Sequence, residues 1–257
     1  MTTSTSAGGR FVEQVMGMPV TLALRGRHAD DEEARRAWQD GLAVLHEADR
    51  VFSTYRDDSF VSRLGRDELT VDACPPEVAE VLALGEQARV ESGGAFDVRR
   101  PGPDGTPVLD PSGVVKGWAV QRAAVPVLAL DDTDVCLSAG GDMVCHVATP
   151  DRVPWSVGVE DPLDPTRVLA VIPVRRGAVA TSGHAHRGHH VVDPRTGRPP
   201  EGIASVTVLA TDLVTADIDA TAAYAMGRAG LPWLQARGRA GVVVWADGTA
   251  EVFGTPA

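Results

Sequence analysis

The chain has 257 residues, of which 44% are apolar and 23% charged, enough apolar material for a packed core and too much for global disorder. Lys and Arg total 24 against 35 Asp and Glu, a net charge of −11, so the phosphate-neutralising attraction of a nucleic-acid binder is missing. No apolar run has the length of a membrane span, and the opening MTTSTSAGGRF carries neither an apolar signal region nor a lipid-anchoring cysteine, so a cytoplasmic location is expected.

In chain order, residues 1–10 read as a disordered tail and residues 11–257 as one domain. Residues 11–25 read as a strand pair, or one long strand, around Gly17-Met18-Pro19. Residues 30–52 read as a helix, opened by Asp30 and Asp31, with Trp38, Leu42, Leu45 and Phe52 recurring at helical spacing. A polar loop follows to residue 65. A second helix, 75–92, opens at Pro75-Pro76 and closes at Gly93-Gly94. Residues 95–113, rich in Gly, Pro and Asp, read as irregular, and a third helix is expected over 114–125. Residues 134–148 read as a hairpin bent at Ala139-Gly140-Gly141-Asp142. Strands are expected at 154–160, 168–174, 178–182, 189–193 and 203–211. A helix from 216 to about 236 with a bend at Gly230-Leu231-Pro232 comes next, and strands at 241–245 and 250–254 close the chain around Asp247-Gly248. Helices early and antiparallel strands late point to an α+β fold.

Several chemistries are disfavoured. No GxGxxG follows a strand, and GxxxxGK[ST], HExxH and GxSxG are absent. The three cysteines, Cys74, Cys136 and Cys145, form no CxxC, which argues against a disulfide framework or zinc knuckle and fits a reducing compartment. Asn is absent, and Lys116 is the sole lysine, which makes it a candidate for a specific chemical or steric role.

Four stretches remain. In TADIDATAAYAMG (215–227), Asp217 and Thr221 are four apart and share a helix face, whereas Asp219 points about 200° away. A carboxylate and a hydroxyl are hard oxygen ligands suited to Mg²⁺ held jointly with phosphate and water; the same residues also read as a helix-dipole charge and a filler. GAVATSGHAHRGHHVVDPRTGRP (177–199) holds His184, His186, His189 and His190, a conceivable transition-metal cluster or a solvated loop. As strand neighbours, His189 and His190 face opposite ways. In DPSGVVKGWAV (110–120), Gly113 and Gly117 flank Lys116 at a helix start, where free N–H groups can meet a phosphate. In SAGGD (138–142), paired glycines allow either close backbone approach to a ligand or a tight turn.

Taken in order, the motifs resemble the ApbE family of FAD:protein FMN transferases. They are Met16-Gly17, Ser53 to Ser59 with Tyr55, Gly94-Ala95-Phe96-Asp97, Lys116-Gly117-Trp118-Ala119, AGGD at 139–142, Trp155 to Pro162, ATSG at 180–183, H-x-x-D-P-x-T-G at 190–197 and A-D-x-x-A-T-A at 216–222. The resemblance implies a T-fold-like α+β domain of antiparallel sheets packed with helices. It implies that Asp217, Thr221 and the carbonyl of Val115 ligate Mg²⁺. It implies FAD contacts from Met16, Tyr55, Ala95, Phe96, Asp97 and Trp118, to which Gly113, Lys116, Gly140, Gly141, Asp142, Thr181 and Ser182 are added as candidates. It also implies that His190 is the base that accepts the proton of a threonine hydroxyl on a partner flavoprotein, as FMN passes from FAD to that oxygen and AMP leaves. Ser112-Gly113-Val114-Val115 replaces the family's usual Gly-Gly-Ile-Ala, and Gly65 and Ser138 stand where the family often has Asn. An Mg²⁺-dependent FAD pyrophosphatase and a non-catalytic FAD-binding protein remain alternatives.

Overall fold

A computed structural model of the protein describes residues 8–102, 105–183 and 191–255. Twelve strands and six α-helices run through them. They are β1 (Gly9–Val15), β2 (Met18–Gly26), α1 (Glu32–Phe52), α2 (Phe60–Gly65), α3 (Pro76–Glu91), β3 (Arg99–Pro101), β4 (Pro107–Leu109), α4 (Ser112–Leu128), β5 (Thr133–Ala139) and β6 (Asp142–His146). β7 (Trp155–Asp161), β8 (Asp164–Val174), β9 (Arg176–Gly183), β10 (Ile203–Ala210), α5 (Leu213–Ala225), α6 (Gly230–Ala236), β11 (Ala240–Trp245) and β12 (Ala250–Phe253) complete the order.

Side-chain alternation makes three layers. Eight antiparallel strands form one sheet in the order β1-β2-β5-β6-β9-β10-β11-β12. Val20, Leu22 and Leu24 of β2, Leu137 of β5, Val144 of β6 and Val243 of β11 face the helices, in a core with Leu42, Leu45, Val120 and Leu213. Their alternates, Cys145 of β6, Val179 of β9, and Val242 and Val244 of β11, face the other way and pack against Val157, Val159, Ile172 and Val174 of the β7–β8 hairpin. The expected α+β class therefore holds, with helices on one face and a two-stranded sheet on the other.

Most expected elements are present, and the differences have local causes. Residues 11–25 form two strands, because Met16 (φ 55°) and Gly17 (φ 69°) make a two-residue turn of positive φ between Val15 and Met18. The first strand begins at Gly9, inside the expected tail. Helix α1 starts where Asp31 accepts the Ala34 N–H. The polar loop holds a short helix, α2, capped by Ser59. The irregular stretch contains the β3–β4 ladder. Helix α4 begins two residues earlier than expected and continues through Pro126. The bend expected at Gly230-Leu231-Pro232 falls instead at Gly227, whose φ is 61°; Pro232 sits in the first turn of α6, where a missing N–H costs nothing. Of the strand expected at 189–193, residues 189–190 lie outside the described residues, and Asp193 makes only a single bridge, to Arg198. Among the described residues no helix is long and apolar enough to cross a membrane.

Candidate functional site

The sheet order brings three turns to one end of the molecule. The Pro19 carbonyl, beside the β1–β2 turn, accepts the Gly140 N–H at 3.2 Å, and β9 ends next to them, with the Thr181 N–H donating to Asp142 Oδ1 at 3.1 Å. Gly140 (φ 57°) and Gly141 (φ 97°) form the β5–β6 turn in a backbone conformation that side chains resist, so glycine both makes the turn and leaves its backbone bare. Helices α4 and α5 meet this end from below. Gly117 lets them touch: a Cβ there would lie 2.9 Å from the Leu213 carbonyl and 3.0 Å from Asp217 Cβ. Gln121 Oε1 accepts the Leu213 N–H at 2.8 Å and fixes the start of α5.

A cavity of about 390 Å³ opens where these parts converge. Its floor is made by Lys116 of α4, Asp217 and Thr221 of α5, and Thr181 and Ser182 of β9. Gly140 and Gly141 form one wall, and Ala95, Phe96, Asp97 and Gly113 another. Lys116 Nζ lies 2.5 Å from Asp142 Oδ2 and 3.1 Å from Asp217 Oδ1, and the two carboxylates are 1% and 3% exposed. Asp217 Oδ2 accepts the Gly117 N–H at 3.0 Å. Burial pushes the Asp217 carboxyl up to about 7 against the pull of Lys116, and the charge of Asp142 adds to the rise. Burial alone would lower Lys116, but Asp217 and Asp142 together raise it. Thr221 Oγ1 lies 3.2 Å from Ser182 Oγ.

Among the described residues no three His, Cys, Asp or Glu side chains come together as a metal cage. The floor instead offers the Asp217 carboxylate and two neighbouring hydroxyls, all hard oxygen donors. That set suits Mg²⁺, which takes one or two protein carboxylates and fills its remaining positions with substrate phosphate and water.

Not all of the expected residues reach the cavity. Val115 lies in the first turn of α4 with its side chain in the core; its carbonyl is within the helical hydrogen-bond run but retains a second lone pair. Asp142 sits behind the wall and acts on the floor through Lys116. Trp118 is two residues beyond Lys116, about 200° around the helix, and therefore faces away. Its ring packs edge-on against Phe52, and its Nε1 donates to Glu80 at 2.9 Å. Met16 is in the β1–β2 turn, half-buried against the core, and Tyr55 stands 99% exposed beyond α1. His184, His186, His189 and His190 lie outside the described residues. Asp219 faces away from Asp217 as its spacing requires, held by Arg239 at 2.5 Å and Arg237 at 3.2 Å.

Arg100, Asp110, Gly158, Glu160 and Pro162 line the cavity as well, beyond the residues expected from the sequence. The signal for the last three was present in the Trp155-to-Pro162 motif and that for Asp110 in the stretch 110–120 that it opens; Arg100 arrives through the β3–β4 ladder, which composition hid.

Several known proteins are similar to this chain. The FAD:protein FMN transferase of Rhodobacter capsulatus is 31% identical over 157 residues, covering 58% of this chain and 30% of that protein. The enzyme of the same name from Vibrio cholerae is 33% identical over 129 residues, covering 46% and 39%. The matches thus span well under half the length of these curated relatives. The crystal structure of Pseudomonas stutzeri flavinyl transferase ApbE in its apo form superposes with a TM-score of 0.82 at 22% identity, over 98% of this chain and 96% of that one. The ApbE protein of Thermotoga maritima gives 0.79 at 23% identity, over 95% and 96%. At such identity the structures establish a shared fold. The sequence profile of the ApbE family matches residues 16–100 and 103–244, a span that includes the whole cavity floor, and the chain belongs to the ApbE family.

Proposed function

We propose that the protein is an FAD:protein FMN transferase, moving FMN from FAD to a threonine hydroxyl of an acceptor flavoprotein and releasing AMP. The observation that carries this reading is the floor of the cavity, where Asp217, Thr221, Ser182 and Lys116 converge beneath the bare Gly140–Gly141 turn. The naming of the curated relatives supports it.

In this reading Asp217 and Thr221, with the carbonyl of Val115, hold Mg²⁺. Bound there, Mg²⁺ would supply positive charge against the pyrophosphate and the AMP leaving group. The chain's own work is positioning, as in other phosphoryl transfers. Lys116 ties Asp217 to Asp142 and so fixes the carboxylate below the reacting phosphate. The glycine turn lets the phosphates approach the backbone closely. Ala95, Phe96, Asp97, Gly113 and Thr181 bound the flavin nucleotide, and Met16, Tyr55 and Trp118 belong to its wider surroundings. His190 accepts the proton of the acceptor hydroxyl, a contribution typically of about 10²–10⁴ in rate. A cytoplasmic location is part of the same proposal, and cell fractionation tests it.

The deciding experiment incubates the protein with FAD and Mg²⁺, with and without a flavoprotein domain carrying a target threonine. The acceptor should gain one FMN by mass while AMP appears in step, and Asp217→Asn should abolish both. FMN and AMP released equally without acceptor would assign a pyrophosphatase instead. FAD bound and left intact would leave only a binding protein.

A further inference from the structure

The β5–β6 register sets Cys136 directly opposite Cys145. Residues so paired in an antiparallel ladder have Cα atoms about 4.5–5.5 Å apart, inside the range of roughly 4.4–6.8 Å found across disulfides. Both side chains face the small core beneath the β7–β8 hairpin: Cys145 is buried in it, and Cys136 packs at its edge, partly exposed. The sulfurs are 3.8 Å apart, with the Cys145 thiol donating to Cys136. Neither strand has to move for the two sulfurs to bond.

We propose that Cys136 and Cys145 form a redox pair that closes to a disulfide in response to small-molecule disulfides. The two thiols have different roles. The hydrogen bond from Cys145, with the Arg25 guanidinium adding to it, outweighs burial and holds Cys136 below the ordinary thiol range, while the same bond and burial push Cys145 up. Cys136, partly exposed, is also the thiol that a small disulfide reaches, so it attacks, and the buried Cys145 resolves. The Cys136 thiolate attacks one sulfur of the small disulfide, and one small thiolate leaves and takes up a proton. Cys145 then loses its proton and attacks Cys136 in the mixed disulfide, releasing the second small thiol. The protein pair is oxidised by two electrons, and one small disulfide is reduced to two thiols. The new bond encloses the Gly140–Gly141 turn and Asp142 in a covalent ring, so oxidation stiffens the wall of the cavity. This inference does not depend on the reaction proposed above.

The test uses the full chain, reduced and then freed of reductant. It is exposed to oxidised glutathione, alkylated with iodoacetamide and digested with trypsin without reduction. Cys136 and Cys145 fall in one tryptic peptide, residues 123–152, because no Lys or Arg separates Arg122 from Arg152, and Cys74 falls in another. Peptide 123–152 should lose two hydrogens, resist alkylation and revert with dithiothreitol. Cys145→Ser should trap glutathione on Cys136, whereas Cys136→Ser should leave Cys145 unmodified. Double alkylation of wild-type peptide 123–152, or glutathione retained on both cysteines with no internal bond, would overturn the proposal. The wild-type arm decides the matter even if a variant misfolds.

Discussion

Lys116 is the clearest case of one residue's chemistry shaping the site. It is the chain's single lysine, and its ammonium is shared by two carboxylates that water scarcely reaches. Lys116→Met would strand both charges, at an expected cost of about 3–5 kcal/mol in urea unfolding. Adding Asp217→Asn to that variant should recover part of the loss, since a neutral amide needs no counter-charge; an unchanged midpoint in the single variant would show that the ion pair does not hold the floor. Tyr55 is the opposite case. At 99% exposure it supports no packing, so Tyr55→Ala should leave Tm unchanged and raise KM for FAD. An unchanged KM would remove Tyr55 from the flavin's surroundings. The sequence made the Asp217–Thr221 pair legible because a spacing of four has one meaning on a helix. It left the role of Lys116 open, because its partners lie 26 and 101 positions further along the chain.

Among the elements, α4 bears most of the geometry, since it packs on α1 through Gly41 and on α5 through Gly117. A Cβ at Gly41 would lie 2.7 Å from the Ala123 carbonyl, and one at Gly117 would press on Asp217 itself. Gly41→Ala and Gly117→Ala should each cost about 1–3 kcal/mol by overpacking. Only Gly117→Ala should also lower kcat, because only that substitution displaces the carboxylate; equal kcat losses would mean that α4 moves as one rigid body. The turn from Asp193 to Arg198 places Pro194 in the cavity wall. Arg195 donates to Asp193 from Nε at 2.9 Å and Nη2 at 2.8 Å, which outweighs burial and holds the carboxyl below its ordinary 3.8. A carboxyl lowered in the folded state adds stability that is complete above its unfolded value and disappears as pH falls through the folded one. With Arg195 half-exposed, about 1 kcal/mol is at stake, roughly 2–4 °C in Tm. Asp193→Asn should show that deficit at pH 7, and the deficit should shrink as pH falls below 3.8; a deficit constant with pH would assign the effect to packing. Apolar spacing made α1 legible in the sequence, as did the caps at Asp31 and the glycine pair after α3. Helix α2 and the β3–β4 ladder were hidden because each is too short to show a period.

For the whole molecule, the strand sequence predicted the class and the local hairpins, and the antiparallel neighbours β5 and β6, and β11 and β12, follow from short connections. The pairing of Val20 with Ala139 did not follow, because four helices intervene and no local rule spans them. Nor did the sequence show on which side of the sheet the β7–β8 hairpin lies; that depends on the alternation of Val242, Val243 and Val244 between two cores. The order of the sheet keeps its two edges far apart. Its strands run in chain order from β1 at one edge to β12 at the other. Val12 and Val252, 56% and 74% exposed, thus stand seven strand spacings apart, roughly 34 Å. That separation lies within the span of fluorescence energy transfer, whereas an unfolded chain of this length carries its ends well beyond it. A dye at each position would therefore act as a ruler laid across the sheet. Compaction alone would raise its signal, whereas a single, narrow separation near that value would report all seven seams closed.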